Sequence, residues 1–222
     1  VTRWLLVRHG KTRNPENRCY GWRDVPMDET GERAMAQLAE RLRDAHLDAV
    51  LCSDLARTRA GAAHFAAPRD LTVEAIPELR EIHFGDIEGL TFAEAEIRFP
   101  DTTRRWIERP EAVKFPNGEC FDDVCARVVP WCARRAARRA AGETALFVIH
   151  SGTIRAMLRW MIGCDPHATL MVKIGYGDVL ACEWSAAEGV WTRVEKWDAA
   201  TGARSCVRTL MAGAERPTDV PR

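Results

Sequence analysis

The sequence predicts an α/β fold, a three-layer α/β/α sandwich whose central sheet is mostly parallel. Two observations lead there. The run Trp4-Leu5-Leu6-Val7 and residues 145–149 are short and continuously apolar, the form a strand takes when both faces of its sheet are covered. Between such runs lie longer stretches with apolar residues at helical spacing, and strands that alternate with helices build parallel sheets through crossover connections.

Residues 5–7 read as the first strand, followed by a polar loop through Arg23. Met35, Leu38, Leu42 and Ala45 recur on one helical face, with Asp28 placed to cap the start of that helix. Residues 49–52 form a second strand and the alanine-rich stretch 55–65 a second helix. A short strand over 71–74 precedes a long loop. Helical pieces broken by Pro100 are expected between Thr91 and Arg109, and a long helix over 121–141 is expected to bend at Pro130. After the strand at 145–149, Ile154, Met157, Leu158, Met161 and Ile162 make a helical stripe. Strands over 179–184 and 190–196 finish the fold as a hairpin around Glu188-Gly189. One domain over 1–212 is expected, with a flexible tail over 213–222, where charge and two prolines replace apolar periodicity.

At 222 residues, 46% hydrophobic and 29% charged, the chain suits a globular domain with a full core and not a disordered or fibrous class. Its 32 basic residues balance 32 acidic ones, which points away from nucleic acid and anionic membrane, since both reward a basic excess. No apolar run approaches the ~18 residues of a membrane span. Val1-Thr2-Arg3 leads into the first strand with no leader features, so a cytoplasmic location is expected. The eight cysteines include no C-x-x-C pair, which removes the usual zinc spacing, and they are expected to be small buried hydrophobes.

In parallel sheets the reactive groups gather beyond the carboxyl ends of the strands. Arg8-His9-Gly10 follows the first strand, Ser53-Asp54-Leu55-Ala56-Arg57 the second, a loop with Glu78, Glu81 and His83 the third, and His150-Ser151-Gly152 the fourth. Two histidines, two arginines and a choice of carboxylates therefore converge on one sheet edge. Gly10 is expected to let the chain turn there, because neighbours on a regular strand point to opposite faces. Spacing alone leaves Glu81, Glu78 and Asp54 open as the working carboxylate.

Four segments in this order resemble the histidine phosphatase superfamily, which includes the cofactor-dependent phosphoglycerate mutases. Arg8-His9-Gly10-Lys11-Thr12 is similar to its signature, Ser53 to Arg57 to its second arginine segment, Leu79 to Gly85 with Glu88-Gly89 to its carboxylate loop, and His150 to Arg155 to its second-histidine segment. The resemblance runs from about Arg3 to Gly163. It implies a phosphoglycerate mutase-like fold and a phosphomonoesterase acting on a small phosphorylated metabolite through a phosphohistidine, with no metal and no cofactor. It further implies His9 as nucleophile, Arg8 and Arg57 as the phosphate clamp, His150 as a donor to the transferring group and Glu81 as proton donor. Asn14, Tyr20, Gly21 and Ser151 are implied as phosphate or substrate ligands. Planar guanidinium forks and helix-start amides suit a dianion, and a neutral imidazole supplies the attacking lone pair.

The departures from the mutases bear on function. Phe92 stands where they carry a lysine, Trp106-Ile107-Glu108 replaces their Trp-Arg-Arg run, and their long insertion is absent, so a second phosphate has few partners. Ser151 replaces a frequent glycine, and Tyr20 a small hydroxyl residue. Pro116-Asn117-Gly118-Glu119 before a long helix is similar to bacterial α-ribazole phosphatases, with Trp22 and Trp106 available to line an aromatic pocket. A phosphoglycerate mutase and a non-catalytic module that binds phosphorylated ligands stand as alternatives. His46, His64, His83 and His167 are expected at the surface or in packing, and Arg134, Arg135, Arg138 and Arg139 on a solvated helix face.

Overall fold

A computed structural model describes residues 1–207 except 15, 139 and 200. Both the expected tail and its boundary at 212 lie outside the described residues. The central sheet has the order β3-β2-β4-β1-β5-β6-β7. Its parallel half consists of β1 (Thr2–Arg8), β2 (Ala49–Cys52), β3 (Val73–Ala75) and β4 (Thr144–Ile149). The other half is antiparallel: β5 (Val179–Ser185) and β6 (Val190–Trp197) form the expected hairpin, and β7 (Arg204–Cys206) adds a strand that the sequence does not announce.

Side-chain alternation divides each apolar run between two cores. Trp4, Leu6, Leu51, Phe147 and Ile149 point to one face, packed by α5 (Phe121–Arg138) and α6 (Ser151–Ile162). Leu5, Val7, Val50, Cys52, Leu146 and Val148 point to the other, packed by Met35 and Ala39 of α1 (Glu29–Arg41) and by Ala62 and Phe65 of α2 (Ala56–Ala66). Each such aliphatic side chain stabilises the fold by roughly 1.5–3 kcal/mol relative to an exposed one. That double-sided burial explains why the strands read as unbroken apolar runs.

The helix ends follow local chemistry. Asp28 caps α1, accepting from the Gly31 amide at 2.7 Å. Thr91 and Glu94 form a capping box on α3 (Phe92–Arg98), and Pro100 opens α4 (Pro100–Glu108) at a position where its missing N–H costs nothing. α5 runs unbroken through Pro130. A short α7 (Pro166–Met171), also unannounced, follows the left-handed Gly163.

Three expectations need correction. Gly10 does not adopt a positive φ; a Cβ there would lie 2.5 Å from the Gly31 carbonyl oxygen, so this glycine serves a close approach of β1 to α1 and not a turn. Only Cys52, Cys132 and Cys182 are buried; Cys19, Cys120, Cys125 and Cys164 are half-buried and Cys206 is exposed. Arg135 is not solvated but pairs with the buried Glu143 just before β4.

Candidate active site

The β2-β4-β1 trio delivers its side chains from adjacent strand ends. His9 extends the β1–β4 ladder by one bond, its amide donating to the Ile149 carbonyl at 3.0 Å, and His150 follows directly. The two imidazoles are buried, with ring centroids 5.1 Å apart and edge to face.

Each histidine keeps one ring nitrogen bonded and one without a hydrogen-bond partner among the described residues. His9 Nδ1 lies 2.8 Å from the Gly10 carbonyl oxygen. A carbonyl only accepts, so Nδ1 carries the proton and the neutral ring must present its lone pair at Nε2. His150 is reversed: Nε2 meets the Ser53 hydroxyl at 2.8 Å, and Nδ1 is buried without a partner. A hydroxyl can donate or accept, so His150 is free to carry its proton at either nitrogen. Burial first, and then the Arg57 charge, hold both imidazoles well below their ordinary pKa of 6.5.

Arg57, on the first turn of α2, is fully buried. Its Nη1 and Nη2 donate to the Arg23 and Gly21 carbonyls at 3.0 and 2.6 Å, and its Nε has no partner. Arg8 donates through Nη1 to the Ile174 carbonyl at 2.6 Å and likewise keeps a buried, unpartnered Nε. Unsatisfied buried donors are rare because each costs about 1–3 kcal/mol. Two of them, on guanidinium groups whose charges act on both buried histidines, form a setting for an anion.

Glu81 occupies the start of α6. Its carboxylate accepts from the Gly152 amide at 3.0 Å, the Ser151 hydroxyl at 3.2 Å and the Ile82 amide at 2.9 Å. The helix-start amide expected to face the transferring group is therefore taken by a carboxylate, an anion that the N-terminal end of the helix dipole equally favours. A Cβ on Gly152 would strike Glu81 Oε1, which explains the glycine. Asp54 is drawn elsewhere, held bidentate by Arg80 at 2.7 and 2.5 Å, and that pair keeps its carboxyl below the usual range. Glu78 lends its backbone carbonyl to Arg127.

The remaining expected ligands divide. The Tyr20 hydroxyl meets Thr12 Oγ1 at 2.6 Å, and its ring lies 5.1 Å from the Arg57 guanidinium carbon. Gly21 acts through its carbonyl on Arg57, and any side chain there would strike the Ile82 carbonyl oxygen. The Asn14 amide is engaged within its own loop, Oδ1 accepting from the Arg18 amide at 2.9 Å and Nδ2 donating to the Arg18 carbonyl at 2.7 Å.

Several residues that sequence reasoning left outside the expected site hold this arrangement. Arg127 of α5 donates to the Glu78, Arg80 and Glu81 carbonyls and pairs with Glu119, which fixes the carboxylate loop from below. Trp22 Nε1 donates to the Glu81 carbonyl at 2.8 Å. Ser53 orients His150 and is itself bonded to Thr58 Oγ1 at 2.7 Å. Tyr176, between α7 and β5, places its ring 4.1 Å from the Arg8 guanidinium carbon and 5.6 Å from the His9 ring. Ser53 carried a signal as part of a motif quoted for Arg57, Glu119 as part of the Pro116 to Glu119 segment and Trp22 as a residue available to line a pocket. Trp106, on α4, packs half-buried against Phe84 and Phe115.

A consequence for stability follows from the two neutral histidines. In the unfolded chain an imidazole takes up a proton near pH 6.5, and in the folded chain only well below that value. Between these limits the unfolded state binds more protons, so stability is full above about pH 6.5 and falls as the pH drops through that window. The urea midpoint is expected to decrease from about pH 7.5 to about pH 5.5, and the His9→Asn/His150→Asn variant to show a shallower slope. An unchanged slope in the double variant would show that these histidines are not the linked groups.

The family described as histidine phosphatase superfamily, branch 1, matches residues 4–196. Phosphoserine phosphatase 1 of Hydrogenobacter thermophilus is 31% identical over 166 residues, 74% of this chain and 78% of that protein. A 2,3-bisphosphoglycerate-dependent phosphoglycerate mutase of Gloeobacter violaceus is 29% identical over 195 residues, covering 86% and 89%. The crystal structure of the α-ribazole phosphatase of Shigella flexneri superposes with a TM-score of 0.79 at 27% identity, covering 86% of this chain and 95% of that one.

Proposed function

Because this chain belongs to the histidine phosphatase superfamily, we propose that it is a metal-independent phosphomonoesterase that works through a phosphohistidine on His9. The observation that carries this reading is the bond from His9 Nδ1–H to the Gly10 carbonyl, which leaves Nε2 as a lone pair on a ring that feels the charges of Arg57 and Arg8, each with a buried, unpartnered Nε. In the first step Nε2 attacks phosphorus in line, the P–N bond forms, and the P–O bond to the leaving group breaks. Arg8, Arg57 and His150 hold the equatorial oxygens, where fixed donors in a buried site are worth most. Glu81 gives a proton to the departing alkoxide and, now a carboxylate, takes one from the water whose attack on phosphorus breaks the P–N bond, returns the lone pair to Nε2 and releases phosphate. Among the described residues no cluster of three His, Cys, Asp or Glu side chains suits a metal ion; arginine and imidazole meet the charge.

Hydrolysis is favoured over mutase chemistry by Phe92 and Ile107, which present exposed apolar side chains on α3 and α4 where a second phosphate would need cations. The substrate class is a small phosphomonoester, with α-ribazole 5′-phosphate as one candidate. The Pro116 to Glu119 likeness to α-ribazole phosphatases is partly structural: Glu119 accepts from the His83 amide and pairs with Arg127, so this segment braces the carboxylate loop.

The test is phosphate release with EDTA present, across a panel of α-ribazole 5′-phosphate, phosphoserine, 3-phosphoglycerate and p-nitrophenyl phosphate. Turnover is expected without added metal, and interconversion of phosphoglycerates is expected to be negligible. Glu81→Gln should slow the alkyl esters by about 10²–10⁴-fold and p-nitrophenyl phosphate far less, because nitrophenolate hardly needs a proton. A requirement for a divalent cation, or equal losses for every leaving group, would overturn the corresponding part of this reading.

A further inference from the structure

The chain contains two tyrosines, and their hydroxyls are 3.1 Å apart across the candidate site although 156 residues separate them in sequence. Tyr176 lies over the Arg8 guanidinium and beside His9; Tyr20 faces the Arg57 guanidinium. The two rings therefore stand over the two arginines whose open Nε donors suit a phosphate.

Neither ring is loosely placed. On one side of Tyr176 the Ile174 carbonyl accepts from Arg8 Nη1, and on the other the Gly177 amide donates to the Arg8 carbonyl at 3.0 Å. The Gly175 amide donates to Asp178 Oδ2 at 2.6 Å, and Gly177 takes a positive φ of 76° that closes the turn. Tyr20 is anchored by Thr12, which is buried. Three hydroxyls in a row, Thr12, Tyr20 and Tyr176, share two hydrogen bonds, so one of the three keeps a proton to donate. Burial pushes the Tyr20 hydroxyl up to about 12, which keeps it a donor at neutral pH.

We propose that Tyr20 and Tyr176 form a hydroxyl-bridged roof over the phosphate pocket and that Tyr176 is a specificity-determining residue, selecting phosphate esters of primary alcohols over branched ones. This rests on the phosphatase reading above. A phosphoryl group on the open Nε donors of Arg8 and Arg57 comes beside the two rings that cover those guanidiniums. A second substituent on the ester carbon then has less room beside the rings than an unbranched carbon has.

Glycerol 1-phosphate and glycerol 2-phosphate test this directly, because they share composition and leaving-group type and differ in branching at the ester carbon. The ratio of their kcat/KM values is expected to favour the 1-phosphate by about tenfold or more, a modest steric difference of about 1.4 kcal/mol. Tyr176→Ala should bring the ratio to within about twofold by raising turnover of the 2-phosphate, a gain that general damage to the site cannot produce. Tyr20→Phe and Tyr176→Phe break the same bridge, so the double variant should shift the ratio no further than either single one. A ratio near unity in the parent protein, no change in Tyr176→Ala, or additive effects of the two phenylalanine variants would overturn the roof. If the parent protein hydrolyses neither ester the phosphatase reading itself fails, and if His9→Ala hydrolyses both the phosphohistidine step fails; each outcome is separable from a change in the ratio.

Discussion

Replacing His9 with alanine is expected to lower phosphate release by at least about 10⁴-fold, the scale on which enzymes lose activity when a nucleophile is removed. The parent protein, quenched during turnover of a labelled ester, should carry acid-labile, base-stable phosphate on that residue. Two buried imidazoles compete for this role, and their hydrogen bonds distinguish them. The Gly10 carbonyl forces His9 to keep its proton at Nδ1 and therefore to offer Nε2 as a lone pair. His150 has a hydroxyl at Nε2, so its open Nδ1 can carry a proton and act as a donor. Burial keeps His9 neutral at physiological pH, which is the form that attacks. Near-normal turnover in His9→Ala, or labelled phosphate recovered on His150, would reverse the assignment.

Arg57→Ala should cost two to three orders of magnitude, roughly 3–4 kcal/mol of transition-state stabilisation, mostly in kcat. The geometry gives two reasons. Nε is an open donor in a buried site, and Nη1 and Nη2 hold the carbonyls of Arg23 and Gly21, so the loop carrying Tyr20 loses its anchor as well. Arg57→Lys restores the charge but cannot bond two carbonyls and an anion in one plane, so it should recover only part of the loss. A loss of tenfold or less in Arg57→Ala, with the fold intact by circular dichroism, would remove Arg57 from the phosphate clamp.

Features governed by local chemistry were legible in the sequence. Asp28 as a cap, Pro100 as a break between two helices and residues 49–52 as a strand depend on neighbours a few positions away, and the structure has each of them. The apolar runs that are buried on both faces announced the parallel half of the sheet, and the family followed from four ordered motifs. What sequence could not rank were groups whose partners are distant. Glu81, Glu78 and Asp54 are equivalent by spacing; they separate because Arg80 takes Asp54 while the start of α6 takes Glu81.

The strands β1, β2 and β4, the histidines and arginines at their ends and the phosphatase family were thus determined by the sequence itself, since strand patterning and short motifs are encoded within a few residues. Tertiary structure alone decided that Gly10 is a packing glycine, that Arg127 braces the carboxylate loop from a helix 46 residues away and that Tyr176 meets Tyr20 over the site. The reason is physical. A hydrogen bond acts over about 3 Å of space and leaves no periodic trace along the chain, whereas burial repeats with the geometry of the strand or helix that carries it.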